Sequence, residues 1–394
     1  MTPSRRTVLA AGFGLSLHFA ALPALAAADR RKLVMVICRG GLDGLSLAPP
    51  VGDPDYAALR GAFGFESTAL KLDDRFALHP ALASVHALAR SGQARLVPAV
   101  ATPDRARSHF EAQDVLESGG AVVYGTVSGW LNRAVGVLAA RAPVSALSVG
   151  PTAPLVLRGP APAASWTPGF AVDSTARLPT LLQDLYKDDP LLGPALAQGL
   201  ATEDMARAAM ADEAMAPTSP GGGAKAGVES ARRLGQTTAG LMREAGGPRI
   251  VALSLDGFDT HANQPAQLAP RLAGLDALLD GLHEGLAEDW RDTVVVVVTE
   301  FGRTARINGT GGTDHGTAST ALVLGGGLKG GGIIGDWPGL RTAALFENRD
   351  LAPTLDMRSL FKGVLADQFG LERAVLDTTV FPDSAGARLL TGLT

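Results

Sequence analysis

Five consecutive valines, Val294 to Val298, lie between Thr293 and Thr299. β-Branched side chains are stiff about χ1 and crowd a helix, so the run reads as a strand, and a strand apolar on both faces needs cover on both. A central strand of a mostly parallel sheet meets that need. LVMVIC (33–38) is another run of this kind, set between charges and a Gly-Gly turn. ARLVPAV (94–100), SALSVG (145–150), RIVALSL (249–255) and TALVLGGG (320–327) are further candidate strands. Between them, Leu82, Val85, Leu88 and Ala89 recur at helical spacing, EAQDVLESG continues as a helix, and the leucines from Leu268 to Leu282 form an amphipathic one. The expected fold class is α/β, with a mostly parallel sheet sandwiched between helices.

The 394 residues, 46% hydrophobic, suffice for one large α/β domain or two modest ones. A formal net charge of −4 offers no electrostatic footprint for nucleic acid. The N-terminus carries Ser4-Arg5-Arg6-Thr7, an apolar stretch from Val8 to Leu25, and small residues up to Ala28. That order predicts a twin-arginine signal peptide over 1–28, with the twin-arginine translocase as export partner and a periplasmic or secreted product. His18 falls in the segment expected to be removed. No later apolar run is long enough to make a stable membrane span in the mature form. The mature domain is expected over 29–394. Within it, about 160–245 reads as a helical insertion or cap: it is Pro- and Ala-rich, then Ala- and Leu-rich, and contains the linker-like TSPGGGAKAG (218–227). Cys38 is the only cysteine, expected as a buried thiol, so no intrachain disulfide can form.

In sheets of this class ligands bind beyond the carboxyl ends of the strands, and that rule selects a short set of residues. Asp43 follows the first strand; Ser108 and His109 follow ARLVPAV; Asp256, Asp259 and His261 follow RIVALSL; Glu300 and Arg303 follow the valines; Asp314 and His315 close TARINGTGGTDHG. Carboxylates and neutral imidazoles suit zinc, manganese or a similar divalent ion. Arg303 could orient an oxyanion, and Ser108 could act as a nucleophile beside a metal or base. Each of these acids also has a plain reading as a turn or N-cap residue. His79, His86 and His283 read as packing or surface residues. GGGLKGGG lacks the phosphate-loop spacing, and neither GxSxG nor HExxH occurs, so nucleotide binding and serine-triad hydrolysis have little support.

RGGLDGLS (39–46), RSHFEAQDVLESG (107–119), GWLNR (129–133), FDTHANQ (258–264) and TEFGRTARINGTGGTDHG (299–316), in that order, resemble the DUF1501 family, grouped with the alkaline phosphatase and sulfatase superfamily. The resemblance implies an alkaline phosphatase-like fold and one or two divalent metal ions. One ion would be held by Asp256 or Asp259 with His261 and His315. For another ion, the resemblance points to the stretch from Cys38 to Asp43, to Ser108 and to Glu300-Phe301. Phe301 stands where the superfamily has a histidine. Ala101 of ATPDR (101–105) stands where sulfatases carry their modified residue. The implied function is a metal-dependent hydrolase of phosphate or sulfate esters, on a small-molecule or polymer substrate. The alternative is a non-catalytic periplasmic module of the same fold that binds an envelope component, a glycan or a protein partner.

Overall fold

A computed structural model describes residues 30–141, 144–150, 153–168, 192–210 and 224–394, with a few positions between 182 and 190. The expected signal peptide, residues 169–181 of the expected insertion and residues 211–223 before and within the linker lie outside the described residues.

The strands are β1 (Lys32–Cys38), β2 (Leu70–Lys71), β3 (Ala77–Leu78), β4 (Ala94–Ala101), β5 (Ala146–Val149) and β6 (Ala164–Trp166). They continue with β7 (Ile250–Leu255), β8 (Thr293–Val298), β9 (Ser319–Leu324), β10 (Gly332–Ile333) and β11 (Leu355–Asp356). Nine of them form one sheet in the order β10-β4-β9-β8-β1-β7-β5-β6, with β11 also on β4; β2 and β3 make a separate hairpin pair. β9 runs antiparallel to both β8 and β4, and the other pairs in the large sheet are parallel. The sheet is thus mixed and mostly parallel.

The valine strand is central and covered on both faces, as its composition requires. Val295 and Val297 join Val34, Val36 and Cys38 in one core, against the leucines of the helix Gln264–Leu286 and Ala239 and Met242 of the helix Ala224–Arg243. Val294, Val296 and Val298 join Leu33, Met35 and Ile37 in the other, against Trp130, Leu131, Phe361 and Phe381. Each valine buried in this way contributes about 1.5–3 kcal/mol relative to exposure. The helices Trp130–Ala139 and Met357–Phe369 supply much of this opposite face.

Pro98 interrupts β4, because proline has no N–H for the ladder. The register with β9 shifts between Val97 and Val100, and Ala99 turns to φ +54. Beyond this bulge β11 pairs with Val100 and Ala101, and Thr354 N donates to Ala99 O at 2.9 Å. The carboxyl ends of β1, β4, β7 and β8 and the start of β9 all face one edge of the sheet. Their loops build the site.

Candidate metal centre

β1 leads into Arg39-Gly40-Gly41. Gly40 has φ +109 and Gly41 φ +67, backbone that favours glycine. A Cβ on Gly40 would lie 2.6 Å from Asp259 N, and one on Gly41 would lie 2.5 Å from the Phe301 ring. The turn therefore passes directly against the loops that follow β7 and β8. Arg303 ties the three together from a buried position. It donates to Gly41 O (2.8 Å), Gly40 O (2.9 Å), Phe258 O (3.1 Å), Thr313 O (3.1 Å) and Asp259 Oδ1 (2.5 Å).

The Gly-rich run after β8 doubles back on itself. Thr304 N donates to Asp314 O and Gly316 N to Gly302 O, so Arg303 and His315 face each other as a bridge pair. Asn308 pins the tip: its Nδ2 donates to His261 O and Asp314 Oδ1, and its Oδ1 accepts from Thr310 N and Gly312 N. His315 is thereby delivered to His261 across the edge of the sheet.

Three imidazoles meet at one carboxylate. Asp259 Oδ1 is 2.9 Å from His261 Nε2 and 3.2 Å from His315 Nε2, and Asp259 Oδ2 is 3.5 Å from His109 Nε2. The Nε2 atoms of His261 and His315 are 3.0 Å apart. Each ring is set by its other nitrogen. Nδ1 of His109 donates to Glu300 Oε1 (2.9 Å), that of His261 to Asp314 Oδ1 (3.3 Å), and that of His315 to the Arg107 carbonyl (2.9 Å). Carboxylate and carbonyl oxygens only accept, so Nδ1 donates in each of these bonds, and each Nε2 turns inward toward Asp259. His109 Nε2 is buried and has no hydrogen-bond partner. His109, Asp259 and His315 offer ligand atoms within 4.8 Å of one another, the one such group among the described residues. Histidines oriented by an outer acceptor are the usual form of imidazole metal ligands, and this donor set fits a divalent first-row ion.

The charges of the two carboxylates agree with that chemistry. Burial alone would raise the Asp259 carboxyl, but the Arg303 guanidinium overcomes it and holds the group below its ordinary value. Burial also acts against the Glu300 anion, yet hydrogen bonds from His109, its own backbone, Gln113 and Gly40 keep it lowered. The Glu300 hydrogen bond raises His109, whereas burial lowers His315 and favours its neutral, lone-pair form.

The remaining sequence candidates lie around this cluster or away from it. Glu300 is fully buried behind His109, and Asp314 behind His261. Asp43 is buried with Arg60, at 2.6 and 3.1 Å, and caps the short helix Gly44–Leu47. Asp256 is exposed on the β7 loop, outside the cluster. Ser108 stands at the N-cap of the helix His109–Ser118 and makes no side-chain cap bond. Phe301 packs beside the imidazoles, its ring 4.8 Å from that of His109 and 4.9 Å from that of His315. Cys38 is a buried thiol raised by burial and by the Glu300 charge. His79 packs on Phe65, His86 bonds Lys71 O, and His283 lies edge-on to Trp290. Gln113, which donates to Glu300 at 3.1 Å, is absent from the sequence candidates; its place one turn after His109 is the signal that could have found it.

The fold and the cluster define an α/β protein with a candidate His/Asp metal centre at the carboxyl edge of its sheet. The model of the family described as "Protein of unknown function (DUF1501)" matches residues 30–380, and the chain belongs to that family. No curated protein matches the chain. Solved structures that resemble it include Ps i-CgsB in complex with k-i-k-neocarrahexaose, at 13% identity and a TM-score of 0.40, covering 90% of this chain and 76% of that one. The C-terminal periplasmic domain of EcEptC from Escherichia coli is 9% identical with a TM-score of 0.40, covering 90% and 87%. Alkaline phosphatase from the Antarctic bacterium TAB5 is 13% identical with a TM-score of 0.37, covering 77% and 93%. Among the described residues no helix is long and apolar enough to cross a membrane.

Proposed function

We propose that the chain is an exported, metal-dependent hydrolase of phosphate or sulfate esters, with one divalent ion held by Asp259, His261, His315 and His109. The observation that carries this reading is the convergence of three Nε2 atoms on the Asp259 carboxylate, each ring held at Nδ1 by an outer acceptor. The Nε2 atoms of His261 and His315 stand 3.0 Å apart, so both would reach one ion.

When bound, a divalent ion supplies a Lewis acid that polarises an ester oxygen and lowers the pKa of a water or hydroxyl. Glu300, Asp314 and the Arg107 carbonyl hold the three rings in one tautomer and one orientation. Arg303 keeps Asp259 ionised and in place; because its donors are already spent on protein groups, it acts as a positioning residue. Ser108, next to His109 at the helix start, is the hydroxyl best placed to serve as a nucleophile, with a water as the other option. Phe301 fills the space beside the cluster, which favours one ion over two. The SRR-containing N-terminus supports export through the twin-arginine translocase to the periplasm or beyond.

Elemental analysis of protein folded in the cytoplasm tests the reading, followed by a panel of phospho- and sulfo-esters with and without the metal found. The expected content is about one equivalent, lost together with turnover in His315→Ala and Asp259→Asn. Less than about a tenth of an equivalent after reconstitution would overturn it and leave the non-catalytic binding module as the better account.

A further inference from the structure

Beside the His/Asp cluster lies a cleft of about 550 Å3 that the metal-centre reading leaves without a role. Its size is in the range of small-molecule sites, roughly 300–1,000 Å3. The cleft and the cluster share their walls. Gln113 lines the cleft and donates to Glu300, which accepts from His109 Nδ1. Asp256 lines it too, on the loop that carries Asp259 and His261.

The floor is polar and already rigid. Arg39 donates to Ser254 (3.2 Å), Gln113 (2.8 Å) and Glu117 (2.6 Å), and Glu117 also accepts from Val156 N at 3.0 Å. Val149, Pro154 and Leu155 line the cleft beside this network. On the sides, the Asp256 carboxylate makes no hydrogen bond among the described residues. Arg158 is exposed at the cleft and donates through Nε to Ala153 O at 3.0 Å.

The rim is aromatic and exposed. Phe110 is 82% exposed and Tyr124 69%, and both line the cleft. Tyr124 has φ +55, a left-handed backbone that a bulky residue adopts only under constraint. The constraint is Asp114, whose Oδ2 accepts from Tyr124 N at 2.7 Å. The Tyr124 side chain is turned largely to solvent from a strained backbone, and strain of this kind gathers at ligand sites.

An aromatic face is electronegative and accepts the weakly positive C–H face of a sugar ring, while the Asp256 carboxylate and the Arg158 guanidinium match vicinal hydroxyls as acceptor and donor. We propose that this cleft binds a saccharide, the polyol part of the ester on which the neighbouring metal centre acts. The assignment rests on the metal-centre reading for the reaction, and on the cleft alone for binding.

Saturation-transfer NMR on the full chain tests it, with the N-acetylglucosamine trimer, glucose 6-phosphate and glucose 6-sulfate as probes. At least one probe is expected to bind. Phe110→Ala/Tyr124→Ala should weaken it by about tenfold, the loss of two stacking contacts. Asp256→Ala should weaken the same probe. All three positions are exposed, so unchanged thermal unfolding checks that the variants are folded. His315→Ala should leave the Kd within about twofold; sugar binding by an unaltered chain that takes up no metal on reconstitution would sink the hydrolase reading and keep this one. Failure of all three probes, or equal affinity in both cleft variants, overturns the proposal. Binding of the unaltered chain but not of the double variant to phosphatidylglycerol vesicles, without sugar binding, would instead assign the rim to lipid.

Discussion

Replacing Asp43 with alanine separates two roles that the residue types alone leave equal, metal ligand and buried ion pair. Asp43 is fully buried and accepts from Arg60 Nη1 (2.6 Å) and Nη2 (3.1 Å), Ser46 Oγ (2.6 Å), Gln264 Nε2 (2.5 Å) and Leu45 N (3.2 Å). Arg60 in turn donates to Thr304 O and Ala305 O, so the pair anchors the loop that carries Arg303 and His315. Burial would raise the Asp43 carboxyl, but the Arg60 charge and hydrogen bonds overcome it and lower it. Removing the carboxylate leaves a guanidinium in the interior with no counter-charge, which costs about 3–5 kcal/mol. With an unfolding entropy of about 2.1 cal/mol/K per residue, Tm should fall by about 4–6 °C. Asp43→Ala/Arg60→Met, which removes both charges, should recover much of that loss. Thermal unfolding by circular dichroism and elemental analysis on the same samples read both outcomes. Metal content is expected to stay unchanged. An unaltered Tm with loss of metal would refute the ion-pair reasoning and restore Asp43 as a ligand.

Val296→Ala and Val297→Ala point to opposite faces of β8, yet each should cost about 2–3 kcal/mol in guanidinium unfolding, since both side chains are buried; a large cost at only one would contradict two-sided burial. Burial lowers His79 to about 4, with the Asp43 charge opposing, whereas the unfolded chain takes up its proton near 6.5. The stabilising contribution of neutral His79 is therefore complete above about pH 6.5 and is lost as the pH falls toward about 4, so His79→Asn should flatten the stability profile across that window. Gly40→Ala forces a Cβ to 2.6 Å from Asp259 N at φ +109, and it should lower both stability and metal content; normal metal content would show that the Gly40 turn does not position Asp259.

Much of the fold is legible along the chain because burial on two faces leaves a local trace. Val294 to Val298 and Leu33 to Cys38 have no polar alternation, and both are central strands. The antiparallel course of β9 is not legible in this way: Ser319 to Leu324 reads as an apolar strand in either direction, and only its neighbours β8 and β4 decide. The helix Trp130–Ala139 is not among the expected elements, although Trp130, Leu131, Ala134, Val135 and Leu138 recur at helical spacing and are buried. In the site, the strand-end rule singles out Asp259, His261, His315 and His109, because loops at one edge of a parallel sheet converge whatever their sequence. It does not rank the acids. Asp43, Asp256, Glu300 and Asp314 are alike as strand-end carboxylates, and they end respectively in an ion pair, in solvent, and behind two histidine rings.

The sequence by itself determined the class of sheet, the family, and the four loops from which chemistry could be drawn. Those follow from side-chain type and spacing, which act over a few residues. The tertiary structure alone decided which nitrogen of each imidazole faces inward, which carboxylate stands among them, and that Arg303 is committed to Gly40, Gly41, Phe258, Thr313 and Asp259. Those outcomes depend on what lies within about 3 Å of an atom. Glu300 reaches His109 across 191 residues of chain, and Gly40 reaches Arg303 across 263.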